Sequence, residues 1–271
     1  MRDSFEQFDF DSQIERLERP CLPYMLAENF PGIELHPRKV SNAEMGSVFE
    51  ELRRTFAELS NETAGEHFTP RDAIRLMVNL LFIEDDEALT KPGVVRSLYD
   101  PTAGTGGMLS EGEEHLRSLN PDARLVMYGQ ELNPESYAIC CSDLLIKDEP
   151  INNLIYGDTL GIKDAKNKTN GFVPHDGHPD KKFHYMLANP PFGVEWKPEK
   201  DHVTKEHNEF GFNGRFGPGL PRINDGALLF LLHMISKMEP ALAKGGKGGE
   251  GSRIGIVFNG SPLFTGDAGS G

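Results

Sequence analysis

Cysteine is almost absent, and its few positions are not patterned for chemistry. Among 271 residues only Cys21, Cys140 and Cys141 occur. None forms a Cys-x-x-Cys pair, so neither a zinc site nor a disulfide framework is indicated. Adjacent Cys140 and Cys141 read as small, inert side chains of a helix. No apolar run approaches the length needed to cross a bilayer. The first residues, Met1-Arg2-Asp3-Ser4-Phe5-Glu6, lack the basic-then-apolar order of a secretory signal. The expected compartment is therefore a reducing cytoplasm, without membrane attachment. Cations are scarce too: 28 Lys and Arg stand against 42 Asp and Glu, a net charge of −14. Nonspecific affinity for duplex nucleic acid comes mainly from cations that neutralise phosphates. A chain this acidic should hold DNA poorly by itself, so a nucleic-acid substrate would require another subunit to supply much of the grip.

What is present falls into two textures. Residues 1–60 read as a helical segment: Ile14, Leu17, Leu22, Met25 and Leu26 are spaced for one, interrupted by Pro20 and Pro23. Ser41-Asn42-Ala43-Glu44 has the capping-box pattern and precedes Met45, Val48, Phe49, Leu52, Phe56 and Leu59 at helical spacing. After a polar loop over 61–69, Pro70 suits the first turn of a helix through Ile74, Met77, Val78 and Leu81. From residue 94 strands and helices alternate. Strands are predicted over 94–99, 124–129, 153–156, 183–188 and 253–258, with helices over 108–119, 133–146 and 225–243. The stretch 161–182 is polar loop. Residues 193–224, rich in Gly, Pro, His and charge, are too long for an idle connection. They read either as a mobile flap near a target or as a disordered surface insertion. Such alternation specifies a parallel, doubly wound α/β sheet over 61–271, whose ligands sit beyond the carboxyl ends of the strands.

Four candidate residues, Asp100, Glu131, Asp158 and Asn189, fall just after successive predicted strand ends. The first leads Asp100-Pro101-Thr102-Ala103-Gly104-Thr105-Gly106-Gly107, a glycine-rich turn that lets a ligand approach the backbone. Neither Gly-x-Gly-x-x-Gly nor a Gly-Lys-Ser/Thr phosphate loop is matched. An acid-led turn without them suits a ligand carrying a cation, such as S-adenosylmethionine, and equally suits a tight turn that holds nothing. Glu131 is placed to accept hydrogen bonds from ribose hydroxyls, or is a solvated carboxylate at a helix start. Asp158 is placed to meet an adenine amino group, or belongs to a plain Gly-Asp turn. Within Gly65-Glu66-His67-Phe68-Thr69-Pro70-Arg71, Thr69 can serve a ligand or cap the following helix. His67 has no companion at metal-ligand spacing. Asn189-Pro190-Pro191-Phe192, after an apolar strand, combines an amide, a rigid backbone and an aromatic ring, parts that can grip an exocyclic amino group on a planar ring.

Asp-Pro-x-x-Gly-Thr-Gly-Gly at 100–107, Gly-Gln-Glu at 129–131, Gly-Asp at 157–158 and Asn-Pro-Pro-Phe at 189–192 together resemble the N6-adenine DNA methyltransferases. Residues 60–71, Gly214-Arg215-Phe216 and Asp225-Gly226 are similar to the modification subunit of type I restriction-modification systems. The resemblance implies a class I S-adenosylmethionine-dependent methyltransferase fold, Rossmann-like, with the C-terminal hairpin strands lying beyond this chain, as in a fragment. It implies that Glu66, His67, Phe68, Thr69, Pro70, Arg71, Asp100, Gly104, Thr105, Gly106, Gly107, Glu131 and Asp158 line the S-adenosylmethionine site. It likewise implies that Asn189, Pro190, Pro191 and Phe192 hold a flipped adenine, with specificity and restriction subunits as partners. The alternatives are methylation of another planar amine or amide, such as RNA adenine or protein glutamine, and an inactive truncated subunit that only binds partners.

Overall fold

Alternation with a period of two distributes the strand residues between two cores. In the computed structural model, which describes residues 14–15, 22–29, 31–36, 38–41, 44–49, 51–52, 69–83, 85, 90–161, 176–241 and 251–258, the strands are β1 (Val95–Asp100), β2 (Arg124–Glu131), β3 (Leu154–Tyr156), β4 (Tyr185–Ala188) and β5 (Arg253–Ile256). They form one sheet in the order β3-β2-β1-β4-β5, parallel at every pairing. Successive side chains on a strand point to opposite faces. Leu98, Leu125, Met127, Tyr185 and Leu187 accordingly enter one core, and Tyr99, Met186 and Ala188 enter the other.

The first core is covered by α2 (Arg71–Phe82), α3 (Gly107–Leu119) and α4 (Pro134–Ile146), through residues such as Val78, Phe82, Leu109, Leu116 and Leu144. Cys140 and Cys141 lie buried in α4, and burial pushes the Cys140 thiol well above its usual range, so it stays protonated and unreactive. The second core is closed by α6 (Ala227–Ser236) through Met234. Helix α1 (Leu22–Asn29) lies in the N-terminal part. Nearby, Ser41 and Glu44 form the expected capping box: the Glu44 amide donates to Ser41 Oγ, and the Ser41 amide donates to Glu44 Oε2 at 2.9 Å. Asn133 caps α4, its Oδ1 accepting from the Ser136 amide at 2.9 Å.

At the other end of the strands, buried Asp85 accepts from Arg96 of β1 and from the Tyr185 hydroxyl of β4, with Arg253 of β5 3.5 Å away. One carboxylate thus ties the connection after α2 to three neighbouring strands.

Several boundaries differ from expectation. Strand β4 begins at Tyr185 because Phe183 instead bridges Met238 and His184 exchanges hydrogen bonds with Ser97. Helix α6 is shorter than its apolar run. It stops at Ser236, where Lys237 turns inward to bond the carbonyls of His178 and Pro179 and the Asp176 carboxylate. The expected loop at 161–182 lies in part outside the described residues. Residues 193–224 fold rather than trail: they contain α5 (Lys200–Phe210) and a short 3-10 turn, Gly211–Asn213. Trp196, Val203 and Phe216 pack with Leu160 and Leu229 into a small third core. The segment leaves and rejoins the body at one root, where the Gly226 amide meets the Val194 carbonyl at 3.3 Å and the Trp196 indole meets the Arg222 carbonyl at 2.9 Å.

Candidate active site

The sheet order reverses direction between β1 and β4, and ligand crevices form at such a switch point. A cavity of about 430 Å3 opens there. Asp100 ends β1, Glu131 ends β2, Asp158 follows β3 and Asn189 follows β4; all four line the cavity. The parallel register puts Asp100 beside Gly129 and Glu131 beside Tyr156, which converts separated motifs into one rim.

The loop after β1 is shaped by its glycines. Gly104 and Gly106 have φ of 53° and 86°, the left-handed region that glycine adopts without strain. A Cβ on Gly106 would stand 2.7 Å from Cys140 Sγ, so α4 packs directly beneath the loop. Asp100 Oδ1 accepts from the Thr102 amide at 2.9 Å, and Glu131 accepts from the amides of Gly104 and Asn133, both at 2.7 Å. Asp100 is buried. Burial, together with repulsion from Glu131, raises its pKa to about 7 against the two stabilising bonds from Thr102. Asp158 is likewise pushed up by burial, although bonds from the Leu160 and Gly161 amides oppose the shift.

On the opposite wall Arg71 lines the cavity, and it is spent on Glu111, as is Arg75. Burial raises the Glu111 carboxyl, but the two guanidiniums outweigh it and hold its pKa below the usual value. Among the described lining residues Arg71 is the only cation, set against the lining carboxylates Asp100, Glu111, Glu131 and Asp158. The cavity therefore favours a ligand with positive charge.

Thr69 does not cap α2. The cap position is Pro70, with no side-chain cap bond, and Thr69 Oγ1 instead accepts from Asn189 Nδ2 at 2.9 Å. That bond fixes the Asn189 amide and leaves its Oδ1 buried without a partner among the described residues. A buried acceptor left unmet costs about 1–3 kcal/mol, a cost that an incoming N–H donor would remove.

Of the residues singled out from sequence, Thr69, Arg71, Asp100, Gly104, Thr105, Gly107, Glu131, Asp158, Asn189 and Pro191 line the cavity. Pro70, Gly106, Pro190 and Phe192 are not among the lining residues; Gly106 and Pro190 are buried beside it and Phe192 is half-buried. Glu66, His67 and Phe68 lie outside the described residues. Sequence reasoning missed Ile74, Met108, Leu132, Val194 and Phe230. The first two belong to apolar helix faces that read as ordinary core. The last two come from the folded segment and α6, with no motif to mark them.

Comparison with known proteins gives the family and the fold. The N-6 DNA Methylase family model matches residues 40–270. The type I restriction enzyme MpnII methylase subunit of Mycoplasma pneumoniae is 25% identical over 192 residues, covering 70% of this chain and 32% of that protein. The EcoKI methylase subunit of Escherichia coli is 24% identical over 242 residues, covering 85% and 38%. This chain thus spans about a third of the length of the curated relatives it matches. Among solved structures, the methyltransferase subunit of a type I restriction-modification system from Streptococcus thermophilus superposes with a TM-score of 0.58 at 26% identity, covering 83% of this chain and 41% of that one. A candidate class I S-adenosylmethionine-dependent methyltransferase from Listeria monocytogenes gives 0.53 at 15% identity, covering 79% and 55%, and supports the fold alone. The fold is the α/β class I methyltransferase fold, as the order of strands implies.

Proposed function

Since the chain belongs to the N-6 DNA methylase family, we propose that it transfers a methyl group from S-adenosylmethionine to the N6 amino group of adenine in DNA, as the modification subunit of a type I restriction-modification system. The observation that carries this reading is the buried Oδ1 of Asn189, without a partner among the described residues, in an amide fixed by Thr69 at the edge of an acidic cavity.

The cavity fits the cofactor. Its volume lies in the range of small-molecule sites, and Asp100, Glu131 and Asp158 provide a negative environment for a cation. S-adenosylmethionine, when bound, supplies an electrophilic methyl carbon on a sulfonium. Glu131, held by the Gly104 and Asn133 amides, would accept from the ribose hydroxyls; Asp158 would accept from the cofactor's adenine amino group; the glycine turn at Gly104–Gly107 would let the cofactor approach the backbone closely; and Thr69 and Arg71 line the cavity with them.

The target amine is a poor nucleophile because its lone pair is delocalised into the ring. Asn189 Oδ1 and the Pro190 carbonyl accept its two N–H bonds and favour a tetrahedral nitrogen, freeing the lone pair for in-line attack. The same two acceptors stabilise the positive charge that develops on nitrogen. Pro191 rigidifies the turn. Phe192 stacks on the base, which must first leave the duplex; such stacking is worth about 1–3 kcal/mol by single-strand precedent.

Recognition of a DNA sequence falls to a specificity subunit, and a restriction subunit completes the complex. A net charge of −14 supports this division, since the chain offers few cations for phosphate. Among the described residues no helix is long and apolar enough to cross a membrane.

Tritiated methyl transfer to duplex DNA, RNA and a glutamine-bearing protein tests the reading, using the chain with its specificity subunit. Label should enter DNA adenine. Asn189→Ala should reduce transfer by about 100-fold or more, the scale of losing an acceptor for developing charge, while leaving cofactor affinity nearly unchanged. Transfer to RNA or protein alone, or full activity in Asn189→Ala, would refute it.

A further inference from the structure

Gly214-Arg215-Phe216 stood out in the sequence, yet it does not line the cavity. Arg215 is nearly buried, with its side chain 10% exposed. Its five N–H donors all have acceptors. Nε and one Nη2 proton grip Glu206 of α5 at 3.0 and 2.7 Å; the other Nη2 proton reaches the Gly161 carbonyl at 3.3 Å; Nη1 meets the Thr159 carbonyl at 2.7 Å and His233 Nδ1 of α6 at 3.4 Å. The Arg215 amide also donates to Glu206 Oε1 at 2.8 Å. The turn that receives two of these bonds carries Asp158. The Asp158 carboxylate accepts from the Leu160 amide at 2.9 Å and faces the cavity, and the Thr159 hydroxyl anchors the turn to the Pro101 carbonyl at 2.6 Å.

We propose that Arg215 is a positioning residue, which reaches from the folded 194–226 segment to clamp the Asp158–Gly161 turn and so makes the grip on the cofactor's adenine depend on that segment. This rests on the reading of Asp158 as the acceptor for the adenine amino group. The guanidinium fork holds the Thr159 and Gly161 carbonyls of the turn, and its charge also acts on the Asp158 carboxylate, opposing the rise that burial causes. The loop that delivers Arg215 is closed tightly: a Cβ on Gly217 would stand 2.5 Å from the Gly211 carbonyl oxygen and from Phe212 Cα. Beneath the turn, Leu160 is held by Trp196, Val203 and Phe216 of the same segment. A lysine keeps the charge but has three donors and no planar fork, so it cannot span Glu206, Thr159 and Gly161 together.

Calorimetry on the full chain separates this role from a merely structural one. The ligands are S-adenosylmethionine and its purine analogue, which lacks the 6-amino group; the variants are Arg215→Lys, Asp158→Ala, which removes the acceptor, the double variant and Glu206→Gln. Arg215→Lys should weaken S-adenosylmethionine about ten-fold, leave the purine analogue little changed, and add almost nothing to Asp158→Ala, the non-additivity expected of two residues acting as one unit. Glu206→Gln, which weakens one side of the fork without removing Arg215, should show the same ligand preference more weakly. It also carries the test if Arg215→Lys fails to fold, when wild-type affinity in Glu206→Gln would overturn the proposal. Wild-type affinity in Arg215→Lys, or equal losses for both ligands that add to Asp158→Ala, would overturn it as well. Asp158→Ala binding S-adenosylmethionine as wild type does, or wild type not binding it, would instead refute the assignment of Asp158, and this inference with it.

Discussion

Asp100 is where a single proton most changes what the cavity holds. Burial and the neighbouring Glu131 lift its pKa from 3.8 to about 7. Its folded pKa exceeds its unfolded one, so its contribution to stability is full below about pH 4 and lost as pH rises through about 7, on the order of a few kcal/mol. The ligand-free chain should therefore lose stability across that window, and Asp100→Asn should flatten the slope in urea denaturations at several pH values. Ionised Asp100 also attracts a cation. Affinity for S-adenosylmethionine, relative to neutral S-adenosylhomocysteine, should rise up to about ten-fold between about pH 6 and pH 8. Parallel pH profiles for the two ligands would exclude Asp100 as the group that senses the sulfonium. Asp100 and Asn189 were legible because strand ends in a parallel sheet converge whatever lies between them. Val194 and Phe230 were not, since an apolar side chain carries no mark of the cavity it reaches through tertiary packing.

Among the elements, the loop from β1 into α3 depends on Gly106 twice: for its positive φ and for the space that Cys140 occupies. Gly106→Ala should cost about 2 kcal/mol in backbone strain and overlap, or about 4–8 °C of Tm. Adding Cys140→Ala relieves the overlap and not the φ, so it should recover only part of the loss in a thermal melt; full recovery would show that φ carries no strain. The strands and their flanking helices were readable from alternation and caps. The Asn133 cap and the Ser41–Glu44 box appear where the residue types put them. Helix α5 was not readable, because Lys200–Phe210 buries only Val203 and gives no apolar stripe. Its stability comes from contacts made elsewhere, chiefly the third core and the Arg215–Glu206 fork. Helix α6 was overestimated because an apolar run records burial, not length, and the inward turn of Lys237 ends it.

For the whole molecule, stability and charge lead to separate expectations. Asp85 links three strands, and removing a buried ionic partner typically costs about 3–5 kcal/mol because the other charges stay buried. Asp85→Ala should lower the urea midpoint by that equivalent, whereas a change below about 1 kcal/mol would show that Arg96 and Arg253 regain solvent. Acidity predicts that the chain alone binds duplex DNA with a shallow salt dependence, equivalent to fewer than about three phosphate contacts, and that a specificity subunit steepens it; a steep slope for the chain alone would contradict the proposed division of labour. The parallel, doubly wound sheet followed from the alternation of strands and helices, whereas the way residues 194–226 join the body did not. Their ends meet at Val194–Gly226 and Trp196–Arg222, so the sheet is closed without them. Closing a longer loop between fixed ends costs little extra entropy. The segment can therefore be lengthened, shortened or exchanged in descent while β4 and α6 keep their places, as a tool takes interchangeable heads, provided that each replacement brings its own clamp for the Asp158 turn.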